Sequence, residues 1–309
     1  MRLLRIATRR SPLALWQAKW VAAGLARHNP GLETRLVEMT TSGDRIQDRP
    51  LATAGGKGLF LKELEHGLLE DEADIAVHSM KDVTVTLPDG LHIPVLCPRE
   101  DPRDAFVSNR YASLDDMPAG AVVGTSSLRR QTQVKHRYPH LEVITLRGNV
   151  NTRLAKLDRG EFDAILLAVA GLLRLEMQSR IRQRIDPSRL LPAVGQGVMG
   201  IECRRGDGDT LDLIRCLNDA QSETAVVAER RVNAALDGGC QVPIAAYADA
   251  LSPDRLRLRA LVGTPDGRTL LTAEDIDAPE RADELGGRVG QSLIDQGARQ
   301  ILDAVYAHG

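Results

Sequence analysis

Apolar and polar positions along the chain alternate between short apolar runs and segments of helical period. Residues 3–8, LLRIAT, have strand character and lead into Ser11-Pro12, a capping serine followed by a proline suited to the first helical position. The apolar-rich LALWQAKWVAAGLA at 13–26 reads as a helix and ETRLVEM at 33–39 as a second strand. Residues 40–58 have no periodicity and several glycines, which predicts a long loop. Such loops are uncommon inside domains and often serve as functional lids. A helix at 59–70 and a strand at 73–79 complete a β-α-β-α-β series, which argues for a parallel sheet.

The stretch CPREDPRDAF at 97–106 is rich in charge and proline and reads as a crossing between domains. Beyond it the alternation resumes, with strands at 121–126, 141–147 and 163–168 and helices at 127–138 and 150–159. Two consecutive α/β units of like plan suggest two similar domains facing a cleft, without a residue-level repeat. LLPAVGQGVMGIE at 190–202 reads as a second hinge, returning the chain to the first domain. From about 220 the style changes to a long helix at 222–236, a loop holding Cys240, strand-like 255–263 and 268–276, and a helix from about 280. The division expected is 1–98 with 198–216 for domain 1, 103–192 for domain 2, and 220–309 for a smaller C-terminal α+β domain.

Composition narrows the class. The chain has 309 residues, 43% of them hydrophobic, enough for two or three cores. A net charge of −2 gives no global attraction to nucleic acid or anionic membrane. No apolar run approaches the roughly 18 residues of a membrane span, and the N-terminus lacks a secretory hydrophobic stretch. Cys97, Cys203, Cys216 and Cys240 form no C-x-x-C pair and no metal-binding spacing. The expectation is a cytoplasmic protein without a metal site.

Basic residues are unevenly spread. Between Thr125 and Arg159 there are eight Lys or Arg against two acids. In GTSSLRR, Thr125, Ser126 and Ser127 stand where a strand feeds a helix N-terminus, a natural anion site. Arg129 and Arg130 add forked donors suited to carboxylate or phosphate. Arg147 ends a strand, and Arg153 sits in a first helical turn, where a cation opposes the dipole and favours a ligand-facing role. Arg9 and Ser11 occupy another strand-to-helix junction, and Ser79, Lys81 and Asp82 follow an apolar strand. Ligands of open α/β sheets collect at the carboxyl ends of strands. There Asp82, a lone carboxylate among cations, is suited to stabilise a cation or move a proton. Aromatics make up only 3% of the chain, so stacking platforms for nucleic acid are missing and a small polycarboxylate or phosphate fits better. Cys240, after Gly238-Gly239 and before Pro243, is open to three readings: buried filler, nucleophile, or attachment point for a prosthetic group.

Taken together, RIATRRSPLALWQA, GGKGLFLKELE, VHSMKDV, GTSSLRRQ, LRGNVNTRL, DAILLAVAGLLRL, LPAVGQG and GGCQVPI, in this order, resemble the porphobilinogen deaminases, or hydroxymethylbilane synthases, of porphyrin and haem biosynthesis. The resemblance implies two similar α/β domains resembling type II periplasmic binding proteins around a cleft, plus a C-terminal domain carrying the cofactor cysteine. It implies a dipyrromethane cofactor, built from substrate and joined by a thioether to Cys240. The implied transferase reaction condenses four porphobilinogens head to tail with loss of ammonia, after which water releases hydroxymethylbilane. Porphobilinogen and the growing linear polypyrrole are then the partners of a monomer that binds neither nucleic acid nor membrane. Each pyrrole adds an acetate and a propionate, which explains the arginine excess. By resemblance Asp82 is catalytic, and Arg9, Ser11, Ser79, Lys81, Thr125, Ser127, Arg129, Arg130, Arg147 and Arg153 bind the carboxylates, with Ser126 and Gln196 nearby. Lys57 matches the glycine-flanked lysine of the lid loop. Thr84, Thr132, Asn151 and Ala245 depart from the family pattern without removing a charged or anchoring group. The alternative is a non-catalytic two-lobed anion-binding protein, which needs neither Cys240 nor Asp82.

Overall fold

The computed structural model describes residues 3–41, 61–239 and 241–308, so Lys57, Cys240 and most of the loop expected at 40–58 lie outside the described residues. In chain order, β1 (Leu3–Arg9) leads to α1 (Pro12–His28), β2 (Glu33–Met39), α2 (Lys62–Leu69), β3 (Ile75–Ser79) and β4 (Leu91–Leu96). Next come β5 (Asp104–Val107), β6 (Val122–Gly124), α3 (Leu128–Arg137), β7 (Glu142–Ile144), α4 (Val150–Asp158), β8 (Ala164–Ala168), α5 (Val169–Arg174) and β9 (Gln183–Ile185). The remainder is β10 (Met199–Arg204), α6 (Gly208–Ile214), α7 (Ala220–Ala235), β11 (Ile244–Ser252), β12 (Arg255–Gly263), β13 (Leu270–Asp277), α8 (Ala282–Asp295) and α9 (Ala298–His308).

Contacts divide the chain into one unit of residues 1–100 with 197–223 and a second of 101–196 with 224–309. The first holds a five-stranded sheet in the order β2-β1-β3-β10-β4, and the second a sheet in the order β7-β6-β8-β5-β9. The two orders correspond strand for strand. Each sheet has parallel neighbours on one side, then a strand running against them. The two α/β plans expected from the alternation are therefore present, but the sheets are mixed rather than parallel. The antiparallel strands are β10 and β5. They overlap the two segments, 190–202 and 97–106, that suggested only a hinge and a crossing.

Both faces of each sheet are covered, which is why the strands read as continuous apolar runs. In the first unit Leu4, Ile6, Ile75 and Ile201 meet Val21 and Leu25 of α1 on one face, while Ala7 and Ala76 meet Leu64 and Leu68 of α2 on the other. In the second, Phe106 and Leu166 pack with Val134 of α3, and Ala105 and Leu167 with Leu154 of α4.

The three-stranded antiparallel sheet β11-β12-β13 buries Ala246, Leu258 and Ala260 against α7 and α8, as expected for an α+β module. The single helix expected from about 280 is two helices, broken at Gly297 with φ +99°. Helix α3 docks on the tip of this sheet. Thr132 Oγ1 donates to Thr264 O (3.0 Å), Gln131 Nε2 donates to Pro265 O (2.9 Å), and His136 Nδ1 lies 2.9 Å from Gly267 O. Gly267 has φ +75°, and a Cβ there would come within 2.5 Å of the His136 amide, so this approach needs glycine. The helix that carries Arg129 and Arg130 is thus clamped from outside.

Candidate functional site

Two groups of the expected residues assemble, one in each unit. In the first unit β1 and β3 are parallel neighbours, so Arg9 and Ser79 end on the same sheet edge. Ser11 caps α1 through its Oγ, which accepts from Ala14 N at 3.3 Å. Gln17 of α1 reaches across and donates from Nε2 to Ser79 Oγ (2.8 Å), tying the helix to the strand end. The chain then turns through one 3-10 turn, Met80–Asp82, anchored by the Met80 amide donating to Val198 O (3.0 Å). These elements enclose a cavity of about 60 Å³ whose wall includes Arg9, Ser11, Gln17, His78, Ser79 and Asp82. Lys81 is half-buried in the same turn. Gln17 and His78 were not placed in this group from sequence. The position of His78 beside Ser79 was the available signal, while nothing local marked Gln17.

In the second unit Thr125, Ser126 and Ser127 follow β6, as the pattern of GTSSLRR suggested. Their amides are partly spent within the fold: Thr125 N donates to Ile144 O, and Ser127 N to Thr125 Oγ1 (3.2 Å). Arg153 donates from Nε to Gly148 O (2.8 Å) and reaches Ser126 Oγ at 3.5 Å. Arg147 is half-buried, and burial holds its guanidinium below the ordinary value.

Arg129 and Arg130, expected as forked donors to a carboxylate or phosphate, meet a carboxylate of the protein itself. Both are buried and turned onto Asp104 of β5, which is fully enclosed. Arg129 donates from Nη1 to Oδ2 (2.8 Å), and Arg130 donates from Nη2 to Oδ1 (2.7 Å). Arg129 also donates to Leu191 O and Arg130 to Leu166 O. Gln196 Nε2 joins them, donating to Asp104 Oδ1 (3.0 Å) and Pro102 O (2.6 Å). Burial pushes the Asp104 carboxyl up, but the charges of Arg129 and Arg130 and their hydrogen bonds prevail and hold it far below the carboxylate range. Asp104 was missed because its segment read as a crossing, and its partners lie 25 and 26 residues away.

Of the described cysteines, Cys216 is exposed. Cys97 and Cys203 are buried, and burial pushes the Cys203 thiol up to about 11, which keeps it a poor nucleophile. Helix α7 ends in a turn at Asp237, φ +51°, whose carbonyl accepts from Tyr306 Oη (3.0 Å). That turn lies three residues before Cys240, which is outside the described residues.

The model "Porphobilinogen deaminase, dipyromethane cofactor binding domain" matches residues 4–212, and "Porphobilinogen deaminase, C-terminal domain" matches residues 223–295. The chain belongs to the porphobilinogen deaminase family. It is therefore a transferase of porphyrin biosynthesis, a hydroxymethylbilane synthase acting on porphobilinogen, with a dipyrromethane cofactor-binding domain. Among solved structures it is similar to the Bordetella pertussis BvgS VFT2 domain, at 16% identity over 70% of this chain and 86% of that one, TM-score 0.44. It is also similar to a nutrient binding protein from Burkholderia cenocepacia bound to methionine, at 13% identity over 71% and 93%, TM-score 0.44. A third is the periplasmic aliphatic sulphonate binding protein SsuA from Escherichia coli, at 14% identity over 74% and 68%, TM-score 0.42. No helix among the described residues is long and apolar enough to cross a membrane.

The residues present suit a polyanionic porphobilinogen deaminase cofactor. Arg129, Arg130 and Asp104 together carry one net positive charge, and Arg129 Nε is buried without a hydrogen-bond partner. An anion nearby offsets such an excess.

Proposed function

We propose that Cys240 holds the dipyrromethane through a thioether and that Asp82 is the carboxylate at which condensation is catalysed. The observation supporting the second assignment is the cavity at the carboxyl ends of β1 and β3, where Asp82 shares a wall with Arg9, Ser11 and Ser79. In each condensation the bond from the substrate methylene to its amino nitrogen and the α C–H bond of the accepting pyrrole break, a carbon–carbon bond joins methylene to α-carbon, and the displaced proton leaves with the nitrogen as ammonia. Positive charge develops on the pyrrole as this happens, and a fixed carboxylate stabilises it without reorganising. The cofactor, when bound, supplies the pyrrole end to which the first substrate is joined.

In the first unit Arg9, Ser11, Ser79 and Lys81 bind acetate and propionate side chains. In the second, Thr125, Ser126, Ser127, Arg147 and Arg153 do the same, and Arg129 and Arg130 act with Gln196 as a fixed electropositive centre. Lys57 belongs to the same carboxylate-binding set. The enzyme works as a cytoplasmic monomer. Denatured protein from cells that make porphobilinogen is expected to carry two linked pyrrole units on the Cys240 peptide. An unmodified peptide that gains no mass on incubation with porphobilinogen would sink the anchor assignment. Asp82→Asn preserves shape and removes charge, and is expected to slow turnover about 10²-fold or more. Near-normal turnover would refute its role.

A further inference from the structure

Gln17 stands on the buried stripe of α1, whose other members are Ala14, Ala18, Val21, Gly24 and Leu25. It is the one side chain in that stripe able to hydrogen-bond, and it is 3% exposed. An enclosed amide costs free energy unless its groups find partners, and an apolar side chain of similar length would fill the space without that cost. Among the described residues it makes one side-chain hydrogen bond, Nε2 donating to Ser79 Oγ at 2.8 Å. Burial of this amide therefore serves a single contact, at the end of β3 where the turn that holds Asp82 begins.

That contact limits what Ser79 can do. A serine hydroxyl has one hydrogen to donate and two lone pairs with which to accept. With a lone pair engaged by the Gln17 amide, the hydrogen points away from that amide, and among the described residues no group accepts it. Ser79 and Gln17 both line the cavity that holds Arg9, Ser11 and Asp82. Ser11 repeats the arrangement, its Oγ accepting from the Ala14 amide at 3.3 Å while its own hydrogen meets no acceptor among the described residues. One wall thus combines two hydroxyl hydrogens with the guanidinium of Arg9, a set of donors suited to a carboxylate.

We propose that Gln17 is a positioning residue: its buried amide aims the Ser79 hydroxyl hydrogen into the cavity, where Ser79 donates it to a carboxylate of porphobilinogen. This rests on the reading that Ser79 binds an acetate or propionate. Without the amide the hydroxyl is distributed over three staggered positions, of which one meets the ligand, so binding weakens about threefold. Removing the hydroxyl itself deletes a hydrogen bond to a charged group and weakens binding about tenfold or more. The carboxylate takes no part in the bonds that break and form, so it is held alike in ground and transition states. Both losses therefore fall on KM and leave kcat little changed.

Gln17→Met fills the volume and removes the donor, and is expected to raise KM for porphobilinogen about threefold. Binding without turnover gives a second readout. The pyrrole that carries the acetate and propionate but no aminomethyl group cannot lose ammonia, and its calorimetric Kd should rise by the same factor. Ser79→Ala is expected to raise KM and Kd about tenfold. In the Ser79→Ala background Gln17→Met should change neither, because no hydroxyl remains to aim; a role in packing alone would act equally in both backgrounds. Wild-type KM and Kd in Gln17→Met overturn the proposal, and so does a factor that is the same with and without the Ser79 hydroxyl. If Gln17→Met does not fold, Gln17→Leu is read in the same cycle. Ser79→Ala separates the two levels. If it raises KM and Kd while Gln17→Met raises neither, only the aiming role falls; if it moves neither, the carboxylate-binding reading of Ser79 falls as well.

Discussion

Glu65 makes the stability of the first unit depend on pH with a definite sign. Its carboxyl is raised from 4.5 to about 7, chiefly by burial and then by the charge of Glu202. At about 1.4 kcal/mol per pH unit, that difference is at most roughly 3.5 kcal/mol. Below the unfolded value both states hold the proton and the enclosed neutral carboxyl costs nothing extra. As pH rises toward 7 the unfolded chain ionises while the folded one retains its proton. The folded state then binds more protons, so stability falls with pH and levels off above the folded value. Glu65→Gln keeps the shape and removes the titration. Urea unfolding of wild type and variant at pH 5 and pH 8 therefore should give a difference that shifts in favour of the variant by roughly 2–3 kcal/mol between the two conditions. A difference between the proteins that does not change with pH would show that Glu65 is hydrated or otherwise compensated, and the argument from its burial would fail.

Three further outcomes are expected. Asp104→Asn leaves the Arg129 and Arg130 guanidiniums buried against a neutral amide and should cost about 3–5 kcal/mol in chemical denaturation; a loss within 1 kcal/mol, the scale of surface pairs, would mean that the pair turns outward freely. Gly197→Ala forces a Cβ to within 2.3 Å of the Glu100 carbonyl oxygen at φ +91°, and about 2 kcal/mol or more should disappear from the unfolding free energy. Asp82→Asn is expected to retain wild-type unfolding behaviour while turnover falls about 10²-fold, separating its chemistry from the fold.

Much of the first site was legible because its signals are local. Ser11-Pro12 marks the start of α1 within a single turn, and Ser79 and Asp82 follow an apolar run whose parallel neighbour ends at Arg9. In an α/β sheet, strand ends on one edge form one site, so order along the chain was enough to group them. The second site was legible in composition but not in direction. GTSSLRR located two arginines after a strand, yet no local feature said that both turn inward. Their partner Asp104 is on a strand that enters from the other side of the sheet order, next to β8. Likewise β7 spans only Glu142–Ile144, where the apolar pattern had suggested a strand through residue 147.

Amino-acid order by itself determined the capped start of α1, the parallel strands and longer helices of the α/β alternation, and the family, because each depends on periodicity or motifs spanning a few residues. Tertiary structure alone decided the antiparallel entry of β5 and β10, the capture of Arg129 and Arg130 by Asp104, and the meeting of Glu65, His78 and Glu202. The last two of these groups are 124 residues apart in sequence. Nothing in the neighbourhood of either specifies the other. Only the packing of β10 against β3, together with the helix that buries that face, brings them within hydrogen-bonding distance and removes the water that would otherwise keep their charges independent.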